Sequence, residues 1–427
     1  MLSVDILIFS LLIAISLKKG ISVGFSAIIG ILIYSLILNN KISEPTLHIP
    51  LIILSIITAT SSLSAAGGIS YISEIIEKAL IKHKSFIEII APIFTFITTI
   101  LCGTPYIALA IIPIVTKISI EENLKPVHSI TGCIIGANHG YLCSPIGSPF
   151  IVTSHIIKIN RYYMLFSLIV SCFIGLLATV IYNFIKQKLD TRKQKYNTNE
   201  NIVYNIEKYD KTKAQKAVFI FLIGLVIMLI YGLNDNIKPD FIKDGYIKKS
   251  EPTLLIPLFM LSIAFFISSF CRVNISNMLK QKTMEYGFKS IITIIGISWL
   301  TNTLIENNKI ELSSIIKETF DKNLISLGLI VFISSIFMAS QTTAILIFLP
   351  IYTTLGISDI SLLKIIPFAD GLFFIPLTAI FSFAIECDTT KSTKAGNYII
   401  NHSLMIPGLI ATTTSIIIMN YIVKITT

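Results

Sequence analysis

The chain is poor in charge and almost empty of arginine. Asp, Glu, Lys and Arg together make 14% of its 427 residues, and Arg161, Arg192 and Arg272 are its arginines. So little charge cannot clothe a soluble fold that is 53% hydrophobic with a mean hydropathy of +0.79, which makes this a polytopic membrane protein. The six cysteines (102, 133, 143, 172, 271, 387) lack any CxxC spacing, so neither zinc nor disulfides are indicated, and no motif calls for a metal or a cofactor. There is no GxxxxGKS/T loop, so ATP is not expected to drive it. HExxH and GxSxG are missing too, which argues against an enzyme; an intramembrane hydrolase using His139 with Ser144 is the rival left standing. The net charge of +10 sits on Lys and Arg in short loops, where it sets topology, and not in a basic-aromatic patch for nucleic acid.

What the chain has is apolar runs, at about 4–17, 20–38, 49–66, 86–119, 128–157, 163–185, 217–233, 253–270, 288–305, 324–355, 362–385 and 403–423. Met1–Leu17 carries Asp5 and no basic leader, so it reads as a retained first span. The organising stretch is Glu88–Thr116, two apolar arms meeting at Cys102-Gly103-Thr104-Pro105 with no charge between them. Two full spans need about 20 apolar residues each and a polar connection, so a re-entrant hairpin is expected. Thr104 before Pro105 reads as an N-cap followed by Pro at the first helical position. Irregular backbone at membrane depth survives where it is buried in protein or lines a watered cavity, which makes this apex a candidate site.

Residues 186–216 are polar and read as a cytoplasmic linker between a first membrane repeat, 1–185, and a second, 217–427. The halves echo one another. Gly68-Ile69-Ser70-Tyr71-Ile72 returns as Gly296-Ile297-Ser298-Trp299-Leu300, and the hairpin returns in Asn323–Gly356 with its apex at Ser340-Gln341-Thr342-Thr343. Each half then has about five crossings and one hairpin. Five is odd, so the second repeat is inverted, an all-α organisation characteristic of secondary transporters. Loop lysines put the N-terminus in the periplasm and the linker in the cytoplasm.

Four interruptions are expected to converge near the midplane: the two apices, Ser144-Pro145-Ile146-Gly147-Ser148-Pro149, and Ile375-Pro376-Leu377-Thr378. Ser144-Pro145 and Ser148-Pro149 repeat the cap-then-Pro pattern of Thr104-Pro105. Helix starts there can hold a small anion without arginine, through backbone N–H groups and Thr104, Ser144, Ser148, Ser340, Gln341, Thr342 and Thr343. Any one Ser or Thr beside Pro commonly just mends a kink. Asp370 and His139 are the ionisable residues deepest in spans, candidates for proton or ion coupling; equally, His139 could bond a carbonyl and Asp370 could cap a helix. Glu386, Asp388, Lys391 and Lys394 read as a solvated cytoplasmic edge. An anion channel would show a continuous polar stripe, whereas here polarity clusters at the breaks.

At these motifs the chain resembles the anaerobic C4-dicarboxylate transporters of bacteria, the Dcu family. The resemblance runs through Ala66-Gly67-Gly68, Tyr71, Glu77-Lys78, Ala91-Pro92-Ile93, Gly103-Thr104, Leu109-Ala110, Pro113, Ser144-Pro145-Ile146, Trp299-Leu300, Ser340-Gln341, Asp388, Thr390, Asn401-His402 and Ile406-Pro407-Gly408. It implies uptake, efflux or exchange of fumarate, succinate, malate or aspartate across the inner membrane, with a substrate site at two hairpin tips. It carries that role to Gly103, Thr104, Ser144, Pro145, Ser340, Gln341 and Pro376. The chain departs from the family pattern at Pro105, Tyr106, Ala108, Asn138, His139, Asp370 and Ala379, which implies a narrower substrate range, aspartate over fumarate. Another small organic anion is the alternative cargo. A homo-oligomer and a sensor-protein partner at the 386–394 edge are both compatible with the sequence.

Overall fold

Long apolar segments in lipid must satisfy their own backbone N–H and C=O groups, and the α-helix does so within one segment. The computed structural model describes residues 11, 23–38, 40–45, 47–190, 209–233, 240–243, 246–249, 252–319, 323–375, 378–388, 390–393 and 402–426. The first half holds α1 (Val23–Leu36), α2 (His48–Ala65), α3 (Gly68–Lys82), α4 (Ile87–Cys102), α5 (Ala108–Glu121), α6 (Pro126–Cys143), α7 (Ser148–Ile156) and α8 (Arg161–Asp190). The second holds α9 (Lys211–Leu233), α10 (Pro252–Cys271), α11 (Ile275–Leu279), α12 (Lys282–Thr319), α13 (Leu324–Met338), α14 (Gln341–Thr354), α15 (Asp359–Leu363), α16 (Ala379–Cys387) and α17 (Met405–Thr426). The architecture is helical, as expected. Its one departure among the described residues is a short antiparallel hairpin in the polar loop before α10, β1 (Asp240–Lys243) with β2 (Tyr246–Lys249).

Among the described residues, α8 and α17 are each long and apolar enough to cross a bilayer, and α2 with α3, bent by 66°, makes a third candidate. Other helices stop short because the sequence interrupts them: α4 ends at Gly103 and α13 at Ala339. The expected first span, 4–17, lies outside the described residues except for residue 11. Both ends of the expected linker are helical, since α8 runs on to Asp190 and α9 starts at Lys211.

Contacts divide the chain into two compact units, each drawing on both sequence halves. One comprises Thr46–Ile75 and Asn205–Ile291. In it α2 packs against α10, which also packs against α9. Ser64 Oγ donates to Gln281 Oε1 at 2.6 Å, and the Tyr209 hydroxyl donates to the Glu74 carboxylate.

The other unit comprises Met1–Pro45, Ile76–Tyr204 and Ile292–Thr427. Here α8 lies along α17, and α6 lies against both α4 and α8. The α4–α6 approach depends on glycines four apart, which share one face of α6. A Cβ at Gly132 would collide with Pro92 Cγ; at Gly136 it would sit 2.6 Å from the Pro92 carbonyl oxygen, and at Gly140 2.7 Å from that of Phe96. Between apolar helices in lipid, such close packing is a main source of association. Gly136→Val is therefore expected to cost about 1–3 kcal/mol by overpacking. Thermal unfolding of detergent-purified protein checks this, since a melting temperature equal to the parent's would mean the helices part without cost.

Candidate functional site

The two hairpin tips take the same backbone course. Gly103 leaves α4 at φ +65° and Ala339 leaves α13 at φ +47°, both left-handed. The next residues, Thr104 and Ser340, are extended, and each caps the helical turn that begins after it. Thr104 Oγ1 accepts the Tyr106 N–H at 3.4 Å, opening a 3-10 turn, Pro105–Ile107, that leads into α5. Ser340 Oγ accepts the Thr343 N–H at 3.1 Å and the Thr343 hydroxyl at 2.8 Å. In each hairpin the two arms contact one another.

The first tip meets the first broken span. A Cβ on Gly103 would stand 2.6 Å from Ile146 Cγ1, and the Ser144 hydroxyl donates to the Ile100 carbonyl at 2.8 Å. That bond corrects one expectation: Ser144 does not cap a following helix. It ends α6, and its hydroxyl satisfies a carbonyl in the last turn of α4, one of the acceptors a helix end leaves open. Nor is Ser148 the cap of α7. Gly147 holds that position, with its N–H on the Ser144 carbonyl at 2.9 Å, and Ser148-Pro149 form the first turn. Pro145 lies in the break itself.

The second tip meets α6 and the segment at Asp370. Tyr141, in the last turn of α6, interacts with Ser148 at the start of α7 and with Thr342 at the start of α14. Gln341 Nε2 donates to the Asn138 carbonyl at 3.1 Å and to Asp370 Oδ1 at 2.9 Å. Asp370 Oδ2 stands 2.5 Å from His139 Nδ1, and both residues are 1% exposed. Behind the pair, α17 supplies Ser415 Oγ, 3.2 Å from His139 Nε2, and Thr412 Oγ1, which donates to the Asp370 carbonyl at 3.1 Å. Ser335 of α13 accepts the Gly371 N–H at 3.0 Å. Asp370 thus faces His139 and Gln341 with its side chain, while its backbone N–H closes the 3-10 turn Ile366–Ala369 on the Pro367 carbonyl. Pro376 lies outside the described residues.

Thr104, Gly103, Ser144 and Pro145 therefore gather on one side of the first break, while Ser148, Ser340, Gln341, Thr342, Thr343, His139 and Asp370 are joined through the second tip. Reciprocal packing accompanies this, for α14 lies against α7 and α5 against α16. Starting helices contribute partial positive charge, and hydroxyls and one carboxamide add donors, so the arrangement suits a carboxylate. No group of three His, Cys, Asp or Glu among the described residues could hold a metal ion.

Tyr141, Ser335, Thr412 and Ser415 went unnoticed in the sequence. The run Thr412-Thr413-Thr414-Ser415 inside an apolar helix was the available signal, since positions 412 and 415 share a face. Asp388 also departs from expectation. It is 2% exposed and not solvated: its carboxylate accepts from Thr390 Oγ1 at 2.5 Å, Ser392 Oγ at 2.9 Å and the Thr393 N–H at 2.7 Å. Ser392 in turn accepts the Val127 N–H at 3.2 Å, tying the end of α16 to the start of α6. Lys391 is exposed, as expected. Asp388→Ala should cost about 2–3 kcal/mol, the scale of hydrogen bonds to a charged group. Asp388→Asn, which keeps an acceptor, should lose less; equal melting temperatures for both would contradict this.

Similarity to known proteins runs the whole length of the chain. Residues 1–427 match the family model described as anaerobic C4-dicarboxylate membrane transporter. The C4-dicarboxylate transporter DcuA of Escherichia coli (strain K12) is 27% identical over 420 residues, 96% of each chain. The anaerobic C4-dicarboxylate transporter DcuB of Escherichia coli O6:H1 is 25% identical over 93% of each. Two solved structures share the fold at low identity. The YdaH transporter of Alcanivorax borkumensis has a TM-score of 0.57 and 13% identity, covering 92% of this chain and 87% of its own. MtrF of Neisseria gonorrhoeae has a TM-score of 0.55 and 12% identity, covering 93% and 84%.

Proposed function

Because this chain belongs to the anaerobic C4-dicarboxylate membrane transporter family, we propose that it moves fumarate, succinate, malate or aspartate across the bacterial inner membrane by exchange or ion-coupled symport. It is a membrane transporter and not an enzyme. The substrate's carboxylates are held between the two hairpin tips, by Thr104 on one side and by Ser148, Ser340, Gln341, Thr342 and Thr343 on the other. The observation that carries this reading is the tie from Gln341, at the start of α14, to the Asn138 carbonyl of α6 and to the Asp370 carboxylate. Gly103, Ser144 and Pro145 shape the first break more than they touch substrate.

The halves form two inverted repeats joined by the 186–216 linker, with the N-terminus in the periplasm. Support comes from the shared backbone course at Gly103-Thr104 and Ala339-Ser340, and from the reciprocal packing of α14 on α7 and α5 on α16. The His139–Asp370 pair is where proton or ion coupling enters, because a buried carboxylate tolerates charge only with a partner.

Purified protein in proteoliposomes separates the modes. Uptake of labelled succinate that requires internal succinate is expected for exchange; uptake into vesicles without it, driven by an imposed proton or sodium gradient, is expected for symport. Failure to move labelled fumarate, succinate and aspartate in either condition would contradict the assignment.

A further inference from the structure

We propose that the Asp370 carboxylate is an internal stand-in for a substrate carboxylate: it holds the Gln341 amide until the substrate's own carboxylate displaces it. This rests on the reading of the α14 tip as a substrate site.

Gln341 is the first residue of α14 and is 1% exposed. Its Nε2 donates to two acceptors, Asp370 Oδ1 at 2.9 Å and the Asn138 carbonyl at 3.1 Å. Two acceptors on one side fix which end of the amide is nitrogen. Its Oε1 is left buried with no hydrogen-bond partner, a desolvation cost the side chain bears to face Asp370. The group it faces is a carboxylate, the same chemistry that each end of a C4-dicarboxylate offers.

The anchoring of Asp370 is lopsided in a way that suits displacement. Its Oδ2 lies 2.5 Å from His139 Nδ1 as a charge contact without hydrogen-bond geometry, its backbone carbonyl accepts from Thr412 at 3.1 Å, and the N–H of the next residue donates to Ser335 at 3.0 Å. His139 is held from behind by Ser415 at 3.2 Å. When Oδ1 lets go of Gln341, Asp370 keeps its ion pair and its backbone bonds, so no buried charge is stranded. Gln341 can then turn its amide to the new carboxylate. A ligand without a carboxylate offers a weaker acceptor and does not displace Asp370, so the stand-in also selects. Asp370 acts through Gln341 and is a positioning residue.

The test is the KM and kcat of labelled-succinate exchange in proteoliposomes for the parent, Asp370→Asn, Gln341→Ala, the double variant and Thr342→Val. Asp370→Asn replaces a charged competitor by a neutral one of the same shape. It is expected to lower KM about ten-fold, the scale of one hydrogen bond to a charged group. Gln341→Ala removes the amide for which the two carboxylates compete, so adding Asp370→Asn to it should bring no fall in KM, and the double variant should match Gln341→Ala with the gain abolished. A fall in KM cannot arise from partial unfolding. An unchanged or raised KM in Asp370→Asn, with KM raised in Thr342→Val, overturns the stand-in and leaves the tip as the site. A gain that persists in the double variant also overturns it, because charge removal alone would then explain the effect. An unchanged KM in Thr342→Val overturns the tip as the site, and the stand-in with it.

Discussion

Replacing His139 by leucine is expected to lower the unfolding free energy by about 3–5 kcal/mol, the penalty for removing one partner of a buried ion pair. Asp370 is 1% exposed, and its Oδ2 faces His139 Nδ1 at 2.5 Å, so the variant leaves a carboxylate in apolar surroundings with only Gln341 on its other oxygen. Adding Asp370→Asn removes the stranded charge, and the double variant should recover most of the loss. Thermal unfolding in detergent reads both. If His139→Leu alone matches the parent, the pair carries no charge; if the double variant is no better than the single, the loss comes from packing around the imidazole.

The second large effect is expected at the first tip. Gly103→Val should cost about 2–5 kcal/mol and reduce transport at least ten-fold. A left-handed φ of +65° costs a residue with a Cβ about 1–2 kcal/mol. The Cβ would also stand 2.6 Å from Ile146 Cγ1, adding an overpacking cost of about 1–3 kcal/mol. Because Ile146 lies between Ser144 and Ser148, the clash pushes the break away from the tip. Ala339→Gly supplies the opposite sign. Ala339 already sits at φ +47°, so glycine there should raise stability by several tenths of a kcal/mol. Two variants that both destabilise would mean that the tips do not share one backbone geometry.

Much of this site was legible from local chemistry. Gly103-Thr104-Pro105 carries a left-handed residue, a cap and a helix-starting proline in order, and the structure uses each that way. Ser340-Gln341 marked the second apex with no glycine or proline to help; its Ala339 takes the strained backbone that glycine takes in the first. Where the reading failed, the deciding partner was far away in sequence. Ser144 and Ser148 have the same Ser-Pro pattern, yet Ser144 is claimed by a carbonyl 44 residues earlier. Ser415 reaches His139 across 276 residues, and no local pattern announces that. Burial misled at Asp388 for a similar reason: a loop rich in Asp, Thr, Ser and Lys looks solvated, but Asp388 turns inward onto the donors of its own loop. His139 and Asp370 were each visible as ionisable residues in apolar runs, while their pairing belongs to the tertiary fold alone.

The most direct measurement of where substrate sits is the rise in melting temperature of detergent-purified protein with added succinate, for the parent, Thr104→Ala and Thr342→Val. A ligand that binds only the folded state stabilises by about 2.7 kcal/mol at one hundred times its Kd, which is a readable shift. Substrate held between the tips predicts a saturable rise in the parent, with the half-saturating concentration displaced upward in both variants. No rise with succinate, fumarate, malate or aspartate in the parent, or equal saturation curves in all three proteins, would contradict it.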